Sequence, residues 1–82
     1  MKNFTVYSKD GCPYCQKITE VLSLSGLNYV EYKLGEHFDY KSFHEQFGTY
    51  ATFPQVVLNG ENLGGCQDSI RYMQEKDICC NV

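Results

Sequence analysis

The chain has 82 residues, enough for one small hydrophobic core, so we predict a single domain over residues 1–82. Its hydrophobic content of 43%, with 15% aromatic residues, favours a globular fold over disorder. The formal net charge of −3 comes from charges scattered along the chain, which gives no support for nucleic acid or a membrane surface as a partner. No apolar run approaches the roughly 18 residues of a membrane span, and the N-terminus shows no apolar signal-peptide region. We therefore expect a monomeric, cytoplasmic protein.

Five cysteines are many for a chain of this length. In a secreted protein they would suggest a framework of disulfides, but the number is odd and no export signal is visible. A reducing compartment opposes structural disulfides, so the cysteines favour catalytic or metal-binding use.

The first predicted strand covers residues 3–7, where apolar and polar side chains alternate. A polar loop with a glycine follows and ends at Cys12. Pro13 suits the first turn of a helix, where a missing N–H costs nothing. Cys12 should therefore stand at the helix start and Cys15 about one turn inside. A Cys-x-x-Cys pair beside a βαβ pattern predicts a thioredoxin-like redox site.

Two further elements are predicted between the end of the first helix and Gly48. The first helix is expected to end near Gly26, a residue that suits a helix C-terminus. Residues 28–34 alternate and are rich in Tyr and Val, which predicts a second strand. A second helix should begin after Asp39, whose carboxylate can accept backbone hydrogen bonds as an N-cap, and end at Gly48.

The C-terminal half predicts a hairpin and a last helix. Residues 55–58 form an apolar strand, Asn59-Gly60 a turn in which both positions need positive φ, and residues 61–63 the returning strand. Gly64-Gly65 breaks that strand, and a helix is expected over residues 68–76. The order βαβαββα predicts an α/β fold, with a small mixed four-stranded sheet flanked by three helices on both faces. Such sheets place their sites at the carboxyl ends of strands, where the Cys-x-x-Cys pair lies.

Four segments, in this order and spacing, resemble the glutaredoxin family over nearly all of the chain. They are Lys9, Cys12-Pro13-Tyr14-Cys15, Thr52-Phe53-Pro54 and Gly64-Gly65-Cys66-Gln67-Asp68. The resemblance is to the dithiol, C-P-Y-C type, and it implies a thioredoxin-like fold. It also implies an enzyme that reduces protein disulfides and glutathione mixed disulfides, with glutathione as the reducing co-substrate and no metal. Two positions depart from the pattern: Phe53 replaces a smaller residue, often Val, and Ala51 replaces a basic residue of many members.

Thiol exchange requires different roles of the two motif cysteines. The thiolate is the nucleophile, and an ordinary cysteine pKa of ~8.5 leaves it mostly protonated at neutral pH. The N–H groups and partial positive charge of a helix start would lower the pKa of Cys12 into the ~3.5–7.5 range of such motifs. We therefore expect Cys12 to attack and the more buried Cys15 to resolve. Release of Cys12 by a second glutathione needs only Cys12, whereas release of a protein mixed disulfide needs both cysteines.

The resemblance also implies a set of contacts to glutathione. These are Lys9, Tyr14, Lys41, Thr52, Phe53, Pro54, Gly65, Cys66, Gln67 and Asp68. A cis Phe53–Pro54 peptide would expose the Phe53 backbone to pair, strand-like, with the cysteine of glutathione. Tyr14 would present its ring beside the Cys12 sulfur, and a merely solvent-facing ring is the alternative.

The double-glycine segment and two lysines would bind the charged ends of glutathione. The N–H groups of Cys66 and Gln67 would take the γ-glutamyl carboxylate, and Asp68 the adjacent ammonium. Lys9 and Lys41 would face the glycine carboxylate. Ordinary roles stay open, since Asp68 also suits a helix N-cap and Lys41 a solvated helix face. The Cys66 thiol would be open to glutathionylation if it were exposed.

Two other functions are compatible with parts of the sequence. A zinc or iron–sulfur module, with or without glutathione, would need more thiolates, and the motif pair with Cys79 and Cys80 could supply four. Structural zinc sites favour two Cys-x₂₋₄-Cys pairs, and the rigid loop at Pro13 disfavours a cluster. A thioredoxin-like redoxin fed by a flavoprotein reductase is the redox alternative, which the absence of Trp and the double-glycine segment disfavour. Among protein substrates the resemblance suggests ribonucleotide reductase, and nothing assigns a role to Cys79 and Cys80.

Overall fold

The computed structural model describes residues 3–78. The elements in chain order are β1 (Phe4–Ser8), α1 (Pro13–Leu24), β2 (Tyr29–Lys33), α2 (Tyr40–Phe47), β3 (Gln55–Leu58), β4 (Glu61–Gly64) and α3 (Cys66–Glu75). This confirms the predicted βαβαββα order. The predicted start of the last helix was wrong, because α3 begins at Cys66 rather than at Asp68. Cys79 and Cys80 lie outside the described residues.

The sheet has the strand order β2-β1-β3-β4. β1 is parallel to β2 and antiparallel to β3, and β3 is antiparallel to β4, so the sheet is mixed as predicted. Tyr7 near the end of β1 pairs with Gln55 at the start of β3, and Val56 pairs with Gly64 at the end of β4. The segments that follow β1, precede β3 and follow β4 therefore leave the sheet at the same end. These segments carry the motifs on which the family resemblance rests.

The turn and capping residues predicted from the sequence are present at the ends of the helices and strands. The turn between β3 and β4 has φ of 50° at Asn59 and 88° at Gly60, the positive values expected for this dipeptide. Asp39 is the N-cap of α2, and its carboxylate accepts the Ser42 N–H at 2.9 Å. That hydrogen bond is the main reason why the pKa of Asp39 lies below its ordinary value. Gly48 follows α2 with φ of 109°.

The hydrophobic core lies between one face of the sheet and the two helices α1 and α3. Its buried members are Phe4, Val6, Ile18, Leu22, Val56, Leu58, Leu63, Cys66 and Met73. Burying one large apolar side chain contributes about 1.5–3 kcal/mol, so this layer is the main support of the fold. Within the part of the chain that is described, no helix is long and apolar enough to cross a membrane.

The other face of the sheet carries α2 and a group of aromatic rings, which we call the aromatic layer. Its members are Tyr7, Tyr32, Phe38, Phe43, Phe47 and Phe53. Tyr7 of β1 contacts Phe47 of α2 edge-on, with ring centroids 5.0 Å apart. Phe43 of α2 stacks on Phe53, which precedes β3, with centroids 4.2 Å apart. Helices therefore lie on both faces, as predicted, and the aromatic layer reaches the segment before β3.

Candidate active site

Cys12 is the N-cap of α1, at the helix start where the sequence predicted it. Its backbone is extended, and its sulfur accepts a hydrogen bond from the Cys15 N–H at 3.2 Å. Pro13 occupies the first turn of the helix, where its missing N–H costs nothing. A sulfur at this position faces the N–H groups and the partial positive charge of the helix start, which favour a thiolate over a thiol.

The two cysteines are joined in a disulfide, with Cα atoms 5.2 Å apart, so the structure is that of the oxidised form. The exposed fraction is 7% for Cys12 and 2% for Cys15. Cys15 is the more buried residue, as expected, but Cys12 is more enclosed than the sequence suggested. Because access helps to decide which sulfur of a disulfide is attacked, we expect an incoming thiolate to attack Cys12, the less buried of the two.

The loop before Cys12 is tied to β2 by an ion pair that the sequence did not reveal. Lys33 Nζ lies 3.2 Å from Asp10 Oδ1, and the contact with Asp10 raises the pKa of Lys33. Both side chains are exposed, so the pair contributes little to stability. Its consequence for the site is that Asp10 pairs with Lys33 and not with Lys9, its neighbour in the sequence.

A groove of about 300 Å³ lies beside the loop that holds the disulfide. The lining residues are Tyr14, Thr52, Phe53, Pro54, Gly65, Cys66, Gln67 and Asp68. All of them belong to the set predicted to contact glutathione, and they come from three segments that are far apart in the sequence. Lys9, Lys41 and Cys12 do not line the groove, although Tyr14 stands between the two cysteines in the sequence.

The segment before β3 forms one wall of the groove. The Phe53–Pro54 peptide is cis, as the resemblance implied, and Pro54 is fully buried. The side-chain amide of Gln55 donates to the Thr52 carbonyl oxygen at 2.9 Å and fixes the backbone in front of the proline. A Cβ placed on Gly65 would lie 3.7 Å from the Pro54 carbonyl oxygen, so this wall and the start of α3 are in contact.

The start of α3 forms the opposite wall. Gly65 is its N-cap, and no side chain accepts hydrogen bonds there, so the N–H groups of Cys66 and Gln67 are available to an anion. Asp68 lies inside the first turn of α3, so its alternative prediction as an N-cap was wrong. Its carboxylate lies over Gly64 instead, where an added Cβ would be 3.1 Å from Asp68 Oδ2.

The Cys66 thiol is part of the hydrophobic core and is 4% exposed. Burial raises the pKa of this thiol, and the charge of Lys17 opposes the rise only in part. The condition under which the sequence predicted glutathionylation of Cys66, an exposed thiol, is therefore not met. The contribution that Cys66 can make to the groove is its backbone N–H.

The two lysines predicted to bind glutathione differ in their positions. Lys9 Nζ lies 5.3 Å from the centroid of the Phe53 ring. Phe53 is a lining residue of the groove, so the Lys9 ammonium lies next to the groove without lining it. Lys41 is exposed in the first turn of α2, and its charge acts on Asp39, the N-cap of that helix. Neither lysine lines the groove, but Lys9 contacts Phe53, which does.

Among residues 3–78 there is no group of three or more His, Cys, Asp or Glu side chains placed to hold a metal ion. The four-thiolate alternative also needs Cys79 and Cys80, which lie beyond this range. Both histidines contact the backbone: His37 Nδ1 accepts an N–H at 2.9 Å, and His44 Nδ1 lies 3.0 Å from the Gly48 carbonyl oxygen.

A family model described as Glutaredoxin matches residues 4–63. The chain belongs to the glutaredoxin family. It is 28% identical over 68 residues to glutaredoxin 3 of Escherichia coli K12, covering 83% of this chain and 82% of that protein. It is 32% identical over 71 residues to the hybrid peroxiredoxin hyPrx5 of Haemophilus influenzae, covering 87% of this chain but only 29% of the longer relative.

Among solved structures, a buckwheat glutaredoxin–glutathione complex has a TM-score of 0.78 at 22% identity, covering 94% of this chain and 73% of that chain. This likeness shows the thioredoxin-like fold. The family, the fold and the Cys12–Cys15 pair together support the family's activity, so this glutaredoxin domain is a glutathione-dependent thiol–disulfide oxidoreductase.

In the reduced glutaredoxin, iodoacetamide should label Cys12 with a half-maximal rate at a pH well below ~8.5, because the helix start favours the thiolate. Cys66 should stay unlabelled while the protein is folded, since its thiol is buried and its pKa is raised. Peptide mass spectrometry over a pH series separates these rates from those of the other cysteines. A Cys12 rate that follows an ordinary thiol titration would contradict the role of the helix start.

Proposed function

We propose that this glutaredoxin reduces glutathione mixed disulfides and protein disulfides with glutathione as its electron donor, and that the groove binds glutathione. The observation that carries the proposal is the lining of the groove, because three separate segments contribute residues of the predicted set and no others. The groove adjoins the loop of the redox pair, as a site for the electron donor requires.

The charges around the groove are complementary to those of glutathione, which has two carboxylates and one ammonium. The N–H groups of Cys66 and Gln67 would bind the γ-glutamyl carboxylate at the start of α3. Asp68, in the same turn, would pair with the ammonium next to it. Lys9, beside Phe53, would bind the glycine carboxylate, and Lys41 stays the second candidate for that carboxylate. The cysteine of glutathione would pair with the backbone beside Pro54 and extend past Tyr14 towards the redox pair.

Cys12 is the nucleophile in the proposed disulfide exchange. As a thiolate it attacks the glutathione sulfur of a mixed disulfide, a new S–S bond forms, and the other sulfur leaves as a thiolate that takes up a proton. A second glutathione thiolate then attacks the disulfide between Cys12 and glutathione, which frees Cys12 and yields glutathione disulfide. With a protein disulfide, Cys15 displaces the substrate from Cys12 and leaves the Cys12–Cys15 disulfide, which glutathione reduces in turn.

The proposal extends to partners and location. The substrates would be disulfide-containing or glutathionylated proteins, among them a ribonucleotide reductase, in the cytoplasm and with the enzyme as a monomer. These points stay predictions from the sequence and its family resemblance.

Turnover of the mixed disulfide between glutathione and 2-mercaptoethanol, with glutathione as the reductant, tests the proposed reaction. The wild type should be active, Cys12→Ser should be inactive, and Cys15→Ser should retain turnover, because the route through a second glutathione needs only Cys12. Formation of glutathione disulfide measures the rate. The proposal fails if Cys12→Ser turns over the substrate as fast as the wild type.

Gly64→Ala should weaken the binding of glutathione, because a Cβ 3.1 Å from Asp68 Oδ2 would displace the carboxylate. Gly60→Ala is the matched control, since its φ of 88° is close to the 95° of Gly64 and nothing lies within 4 Å of an added Cβ. Both variants should lose about 1–2 kcal/mol of stability through the positive φ.

Denaturant unfolding measures the shared loss of stability, and calorimetric titration with glutathione measures the difference in affinity. Gly64→Ala should bind several-fold more weakly than Gly60→Ala. Equal affinities of the two variants would contradict the role of Asp68 in binding the ammonium.

A further inference from the structure

Lys9 stands over the ring of Phe53, with Nζ 5.3 Å from the ring centroid. Among residues 3–78 the one ion pair joins Lys33 and Asp10, so Lys9 has no carboxylate partner there although Asp10 is its neighbour in the sequence. The electron-rich face of an aromatic ring attracts an ammonium without neutralising its charge. The charge of Lys9 is thus held at one place and stays available to a ligand.

The Phe53 ring is itself held by the aromatic layer. It stacks on Phe43 of α2 with centroids 4.2 Å apart and planes inclined by 11°. Phe38 stacks on it at 6.1 Å, and Tyr40 contacts it edge-on at 6.2 Å. A ring that is packed on several sides is held rigidly. Its contact with Lys9 therefore orders part of this long side chain before the ligand binds, which lowers the entropy cost of binding.

We propose that the Phe53 side chain is a positioning residue that holds the Lys9 ammonium at the rim of the groove for the carboxylate of the ligand. This role is separate from the pairing that the Phe53 backbone offers to the cysteine of glutathione. The proposal rests on the proposed function, in which Lys9 binds the glycine carboxylate. It also defines a specificity: ligands with a carboxylate at that end gain from Lys9 and Phe53, and ligands without it do not.

A double-mutant cycle tests whether Phe53 acts through Lys9. Phe53→Leu keeps an apolar side chain but removes the ring face, so it should raise KM for the glutathione mixed disulfide about two- to five-fold, the worth of an exposed cation–π contact, and leave kcat nearly unchanged. Phe53→Tyr keeps the ring and should restore KM. In a Lys9→Met background, Phe53→Leu should raise KM no further.

A second substrate, which differs only in the glycine carboxylate, tests whether Phe53 acts through that group. The mixed disulfide made from the glycine ethyl ester of glutathione lacks the carboxylate that Lys9 would bind, so Phe53→Leu should leave its KM unchanged. If Phe53→Leu raised KM equally for the acid and the ester, the proposal would be overturned, because the ring would then act on the shape of the groove and not through Lys9. The proposal would also be overturned if Phe53→Leu raised KM in the Lys9→Met background as much as it does in the wild type.

The NMR spectrum of the oxidised wild type gives a test that needs no variant. The Cε protons of Lys9 should be shifted upfield by the ring current and show nuclear Overhauser contacts to the Phe53 ring, and the absence of both would overturn the proposal. The two proposals fail in distinguishable ways. A wild type that does not use glutathione contradicts the proposed function, whereas an active wild type without coupling between Lys9 and Phe53 contradicts only the role of the ring.

Discussion

The candidate site depends on the position of β3 between β1 and β4. Because both pairings are antiparallel, the end of β1, the start of β3 and the end of β4 lie at one end of the sheet. The Cys12 loop, the wall at Pro54 and the start of α3 at Gly65 become neighbours there. The burial of α1 and α3 against the sheet stabilises this arrangement, since none of the three segments has a hydrophobic core of its own.

Two helix starts serve this site in the same physical way. The start of α1 faces the sulfur of Cys12, which has to carry negative charge in the reaction. The start of α3 has no side-chain cap, and its free N–H groups face a groove suited to a carboxylate. Asp68 and Lys9 add one charge of each sign at separate places, so the groove can distinguish a ligand's orientation. The redox pair makes exchange feasible, and under the proposed function the groove would select glutathione as the donor.

The sequence predicted features that local patterns or the family resemblance encode. The Asn59-Gly60 turn and the Asp39 cap follow from side-chain and backbone preferences within a few residues, and both are present. The start of α3 was misplaced because Gly65 has no side chain to accept hydrogen bonds at the helix start, whereas Asp68 has one. The contact between Lys9 and Phe53 could not be predicted, since it joins residues far apart in the chain through the packing of the aromatic layer.

The proposed reaction requires that the groove between the Pro54 wall and the start of α3 binds glutathione. Mapping backbone amide shifts while the reduced Cys12→Ser variant is titrated with glutathione tests this most directly. The largest shifts should fall on the amides that line the groove, those of Cys66 and Gln67 above all. Shifts concentrated elsewhere, for example on the depression beside Tyr72 that also forms a pocket, or no saturable shifts at all, would contradict it.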